Sequence, residues 1–242
     1  MFKLCSKVIF TSILILGFST NSIANEAEWS IGAGVLALTS PYKGIDDQNY
    51  GLPLIHYKGE RLKASIFNLE YDLWQSNRLK LSFATELGED FLKASDSINP
   101  VVNALGDRKI SIYSGAKLTY SSAIGIFNTS ALYDISGHSE GSIFKVNYSY
   151  PWRLTQDLTL IPSVGVNFKS ADVANYYYGY SNYELDSTTD LALNLIVSYQ
   201  LTKSLNANAF LRHIVLDNDI TRSPIVNSDS FTMAMVSIVY QF

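Results

Sequence analysis

The chain has 242 residues, a net charge of −4, 47% hydrophobic residues and a mean hydropathy of only +0.08. No run reaches the roughly 18 to 20 apolar residues of a membrane-spanning helix, and no basic patch suits nucleic acid. His56, His138 and His213 lie in separate segments with no metal-ligand spacing, so neither a metal nor another cofactor is expected.

Lys3 and Lys7 precede the apolar run from Val8 to Phe18, and Ser22-Ile23-Ala24 offers small residues for cleavage. This predicts a secretory signal peptide over residues 1–24 and one domain over residues 25–242. Cys5 leaves with that segment, which removes disulfides, thiolate metal sites and thiol catalysis together.

Past Ala24 the pattern has a period of two, the signature of extended strands with one apolar face. Trp29, Ile31, Ala33, Val35 and Ala37 form the first such face, and Ser40 to Asn49 has the Pro, Gly and Asp-Asp chemistry of a loop. Tyr50 to Lys58 is a weaker strand because Pro53 lacks a ladder donor. Between Leu62 and Leu73 the apolar phase slips near Ile66-Phe67-Asn68. Either a bulge inserts a residue there, or two short strands meet near Asn68.

Leu79 to Leu87 alternates cleanly, and Gly88 to Arg108 is a long polar loop. Four well-alternating segments follow, around Ile110 to Tyr120, Phe127 to Ile135, Phe144 to Tyr150 and Leu158 to Phe168. Ser121-Ser122-Ala123 and Pro151 to Asp157 read as short turns, and Gly137 to Gly141 as a loop. Lys169 to Thr189 is a long Tyr-rich loop, Leu191 to Leu201 and Leu205 to Val215 form another hairpin, and Asp217 to Asp229 is the last loop.

In the closing segment Thr232, Ala234, Val236, Ile238, Tyr240 and Phe242 share one face, and nothing follows to cover it. Lipid is the natural cover. Alternating strands with aromatic ends, joined by short connections that alternate with long ones, predict a transmembrane antiparallel β-barrel. It has twelve strands if the phase slip is a hairpin tip, and ten if Tyr50 to Leu73 makes one crossing. Tyr240 and Phe242 also resemble the C-terminal signal read by the bacterial barrel-assembly machinery.

Several pieces taken in order resemble the MipA/OmpV family of outer-membrane proteins. They are Ile31-Gly-Ala-Gly-Val35, Ser40-Pro-Tyr-Lys-Gly44, Leu52-Pro-Leu-Ile-His-Tyr57, Leu105-Gly-Asp-Arg-Lys109, Tyr176-Tyr-Tyr-Gly-Tyr-Ser181 and Ser223-Pro-Ile-Val226. The chain departs from the glycine-rich stretch common in members at Ile66-Phe-Asn-Leu-Glu-Tyr71. The resemblance implies an outer-membrane barrel without enzymatic activity. Its implied role is a scaffold linking a lytic transglycosylase to a peptidoglycan synthase, and other members are described as adhesins.

The predicted inward face carries Lys63, Lys80, Lys117, Lys145, Lys169 and Arg212 against Glu70, Glu86 and Asp134. Such a set lines either a weakly anion-selective pore or an ion-pair network that fills a narrow barrel; we favour the filled barrel. Tyr176, Tyr177, Tyr178, Tyr180 and Tyr183 suit either a partner-binding loop surface or the upper aromatic girdle. Ser136-Gly137-His138-Ser139-Glu140 holds the residue types of a hydrolase, but in a turn they point apart unless strands gather them.

Overall fold

The computed structural model describes residues 27–242. The expected signal peptide, residues 1–24, lies outside them. Eleven strands are continuous: β1 (Glu28–Leu38), β2 (Gln48–Lys58), β3 (Leu62–Ser65), β4 (Asn68–Gln75), β5 (Leu79–Leu87), β6 (Ile112–Ser122), β7 (Gly125–Asp134), β9 (Leu158–Lys169), β10 (Thr188–Gln200), β11 (Leu205–Val215) and β12 (Ser230–Gln241). The remaining one, β8, runs in two segments, Ser142–Ser149 and Trp152–Arg153, which both pair with β9.

Pro151 lacks an N–H and interrupts β8, yet Tyr150 N–H reaches the Pro162 carbonyl and the strand resumes at Trp152. The turn expected from Pro151 is therefore confined to the residues after Arg153. Each strand pairs antiparallel with its sequence neighbour, and β1 pairs with β12 from Ser30↔Gln241 to Leu38↔Met233. The barrel is closed with twelve strands. Closure satisfies the backbone in hydrocarbon, where no water can do so.

The phase slip is the β3–β4 hairpin. Leu62 pairs with Tyr71 and Ala64 with Leu69, so the outward set changes from even to odd numbers across the Ile66-Phe67 tip. A separate bulge between Asp72 and Trp74 turns both Leu73 and Trp74 outward.

Side chains alternate as the period requires. On β12, Val236, Ile238 and Tyr240 are exposed, while Met235, Ser237 and Val239 are buried. Aromatic pairs mark the end of the barrel that carries the short turns: Trp29 with Tyr57, Phe127 with Tyr148, and Tyr240 with Phe242, at 4.8, 4.9 and 5.2 Å between ring centres. That end is the periplasmic one in this class. Inward-facing Gly115 lets β7 approach closely, since a Cβ there would lie 2.1 Å from the Ala131 carbonyl oxygen.

The wall is uneven at β3. This strand has only four residues and pairs with β2 from His56 to Lys58 alone. The length of β2 from Gln48 to Ile55 pairs with β1 but has no strand on its other side among the described residues. Pro53 lies on that free length, an edge position where a missing donor is tolerated.

The outward facing of β12 makes a direct prediction. Val236→Arg places a charge in the lipid belt and should cost about 2–4 kcal/mol, whereas Val236→Leu should be nearly neutral. Urea titration of the heat-modifiable folded band checks both, and equal midpoints would refute the assigned facing.

Candidate functional site: the filled lumen and its two rims

Inward-pointing charges form three tiers along the barrel. In the lowest, Lys80 lies 2.5 Å from Glu70 and 3.2 Å from Asp72, Lys117 lies 2.6 Å from Glu70, and Lys63 lies 3.5 Å from Asp72. Ser82 Oγ donates to Asp72 at 2.8 Å. These residues come from β3, β4, β5 and β6, four adjacent strands whose pleat turns every second side chain inward.

The middle tier crosses the lumen. Lys145 on β8 is paired with Glu86 on β5 and sits 3.9 Å from Glu89, just past the end of β5. Arg212 on β11 reaches the same Glu89 from the far wall at 2.6 Å and donates to Asn194 Oδ1 at 2.7 Å. Burial acts to raise the Glu89 pKa, but the Arg212 and Lys145 charges more than offset it and hold the carboxyl below its ordinary range. In the upper tier Lys169 lies 2.7 Å from both Asp90 and Asp190.

The inward charges therefore balance. Six cations meet six carboxylates: Glu70, Asp72, Glu86, Glu89, Asp90 and Asp190. The sequence pattern missed four of these acids. Asp72 and Asp190 do follow the inward phase of their strands, but Glu89 and Asp90 belong to a loop, where alternation assigns no face.

Asp134 is not part of this network, contrary to the lumen set expected from sequence. It accepts backbone N–H groups from Ser136, His138, Ser139 and Glu140, and hydroxyls from Ser111, Ser136 and Ser139. It organises the β7–β8 loop. Ser136 Oγ lies 3.1 Å from His138 Nδ1, but that nitrogen also lies 2.8 Å from the Ile110 carbonyl, which can only accept. A proton on Nδ1 serves the carbonyl and leaves no lone pair there to take a proton from Ser136. Asp134 touches the His138 backbone and not its ring, so the three do not form a relay.

Above the charges lies an apolar plug built by the long loops. Helix α1 (Pro100–Asn103) follows β5, helix α2 (Ala171–Tyr178) follows β9, and helix α3 (Asn218–Thr221) follows β11. On α2, Val173, Ala174, Tyr177 and Tyr178 are fully buried, a spacing of one helical face. Tyr177 Oη accepts from Ser111 N–H at 2.8 Å and donates to the Lys109 carbonyl at 2.9 Å, while Tyr178 Oη donates to Asp90 at 2.5 Å.

Tyr42 stacks on Tyr178 at 5.5 Å and donates to the Tyr177 carbonyl. Arg108 donates to the carbonyls of Tyr177 and Gly179 at 2.5 and 2.9 Å, capping the helix C-terminus with a charge of the favourable sign. Burial pushes the phenols of Tyr42, Tyr177 and Tyr178 up, so all three stay neutral donors.

This corrects both readings of the Tyr-rich loop. Tyr177 and Tyr178, at 0% and 1% exposure, are neither a contact surface nor a girdle but the centre of the plug. Tyr176, Tyr180 and Tyr183 are half-buried against it. Eight residues of helix are too few to declare their period against the strands on either side.

The pattern that matches most of this chain is that of MltA-interacting protein MipA, over residues 31–242. The chain belongs to this family. The MltA-interacting protein of Escherichia coli K12 is 27% identical over 227 residues, covering 90% of this chain and 91% of that protein. Outer membrane protein OmpV of Vibrio cholerae is 26% identical over 238 residues, covering 92% of this chain and 90% of its own length. Among solved structures, an outer membrane channel from Pseudomonas putida F1 superimposes with a TM-score of 0.49 at 11% identity, covering 95% of this chain and 100% of that one. Membership of the MipA family and the closed barrel together put the protein in the outer membrane.

The middle tier generates a prediction. Arg212→Met strands the buried Glu89 beside Lys145 alone and should cost about 3–5 kcal/mol, most of it recovered by Arg212→Met with Glu89→Leu. A depressed folded pKa gives stability that is present above the unfolded carboxyl value and lost as pH falls through the folded one. The wild-type barrel should thus weaken on acidification below about pH 4, and Glu89→Gln should weaken less steeply over that window. Urea midpoints at several pH values read both effects.

Proposed function

We propose that this protein is a non-enzymatic scaffold of the outer membrane. It holds a lytic transglycosylase, and through it a peptidoglycan synthase, at the inner face of that membrane. In this reading residues 1–24 are removed on export, residues 25–242 form the single barrel domain, and Tyr240 and Phe242 guide insertion by the barrel-assembly machinery.

The observation that carries the proposal is the lumen. Its charges cancel within the barrel and its upper half is packed with loop side chains. Such an interior suits a rigid body that works through its rims better than a diffusion path. The MltA-interacting name of the Escherichia coli relative supports a transglycosylase as the partner.

On the periplasmic rim Arg61, Arg78 and Lys203 in the short turns, and Arg153 at the end of β8, are exposed. The four cations outnumber the exposed acids Glu60 and Asp157 on the same rim, and an excess of one sign steers and orients a partner of the other sign. Reversing all four to Glu should leave the heat-modifiable barrel intact but lose most of the transglycosylase captured from crosslinked envelopes. Undiminished capture would reject the rim as the docking surface, and capture of no murein enzyme by the wild type would reject the scaffold. The balanced lumen also predicts silence in planar-bilayer recordings, against the alternative of a small pore; steady channels would support that alternative.

A further inference from the structure

The inward charges balance over the whole barrel but not tier by tier. The upper tier sets one cation, Lys169, against Asp90 and Asp190, and the middle tier sets two against two. The lowest sets three cations, Lys63, Lys80 and Lys117, against Glu70 and Asp72. The surplus carboxylate above is met by neutral donors, since Tyr178 Oη donates to Asp90 and the Asp217 N–H to Asp190. Among the described residues, the surplus cation below has no such compensation.

That cation is Lys63. Lys80 and Lys117 hold Glu70 at 2.5 and 2.6 Å, and Asp72 receives Ser82 at 2.8 Å and Lys80 at 3.2 Å. Lys63 reaches Asp72 alone, and only at 3.5 Å. An ammonium carries three donors, so this one long contact leaves capacity for an acceptor from outside the chain.

The position suits such an acceptor. Lys63 lies opposite Lys58 at the last β2–β3 pair before the periplasmic turn, and Lys80 lies opposite Gln75 beside the β4–β5 turn. The Lys63 side chain is 37% exposed and that of Asp72 5%, so a solute arriving from the periplasm meets the ammonium in front of the carboxylate. On the two turns Arg61 and Arg78 outnumber Glu60, and Glu28 is engaged by both Lys58 and Gln241. The amides of Gln75 and Gln241 lie at the same end and offer a donor and an acceptor to a peptide group.

We propose that the lumen mouth on the β2–β5 side binds the terminal carboxylate of a peptide from the periplasm, with Lys63 as its main partner. A carboxylate supplies the missing acceptor through a charge-assisted bond, and a narrow mouth admits a chain end more readily than a folded surface. Protein C-termini and the peptide stems of the cell wall share this chemistry. The site needs only the barrel and a peptide, so its failure would leave the scaffold reading untouched.

The probe is dansyl-Ala-Ala-Ala with a free carboxylate, titrated into the folded full barrel in detergent at low ionic strength and followed by fluorescence anisotropy. It should bind saturably, and its C-terminal amide should bind at least about ten-fold more weakly. Lys63→Met should weaken the free acid by about the same factor, while Lys63→Arg should retain it. Lys109→Met removes a cation from the outer loops and should change nothing. Asp72 keeps Lys80 and Ser82 in every variant, so heat-modifiable migration should show a folded barrel; Lys63→Gln replaces Lys63→Met if the latter does not fold.

A matching tripeptide ending in D-Ala-D-Ala separates the two sources. Tighter binding of that probe assigns the site to wall stems, and tighter binding of the all-L probe assigns it to a protein C-terminus. No binding of either, equal affinity for acid and amide, undiminished binding after loss of the Lys63 charge, or displacement by inorganic phosphate at equal concentration would each overturn the peptide site.

Discussion

The constraint on which this structure depends is that backbone polar groups in hydrocarbon find partners within the chain. A helix meets that demand alone, but strands meet it only by closing on themselves. The β1–β12 ladder is therefore the critical pairing, since it joins the two ends of the sequence and leaves the belt without a complete edge. Among the described residues, the incomplete ladder beside β2 stands out for the same reason.

Closure also fixes what must happen inside. A narrow barrel leaves inward side chains facing one another across a short distance, so Lys145 on β8 and Arg212 on β11, three strands apart, converge on Glu89. Removing such charges from water is unfavourable unless each is paired and hydrogen-bonded. The tiers satisfy that condition by drawing carboxylates from the loop after β5 as well as from the strands. In doing so they pull that loop into the mouth, where Asp90 receives Tyr178 and Lys169 together. The apolar plug and the ionic lumen are thus mechanically one unit.

In the scaffold reading, the filled interior leaves the periplasmic turns and the outer loops as the surfaces that meet a partner. Sharing a barrel with channels says little about activity, because function is carried by sites placed on a fold and not by the fold itself.

The sequence by itself determined the barrel, its strand facing and its aromatic end. A period of two is a local property that survives without knowledge of any partner strand, as Val236 and Ile238 against Met235 and Val239 illustrate. Even the slip near Phe67 announced a hairpin or a bulge, and only the pairing of Leu62 with Tyr71 chose the hairpin. Tertiary structure alone decided the charge balance and the plug. Glu89 and Asp90 have no pleat to assign them a direction, and their partners lie on strands far along the chain. Tyr177 and Tyr178 occupy a helix too short to show its period, and their burial arises from three loops meeting over a closed ring, a geometry that exists only after closure.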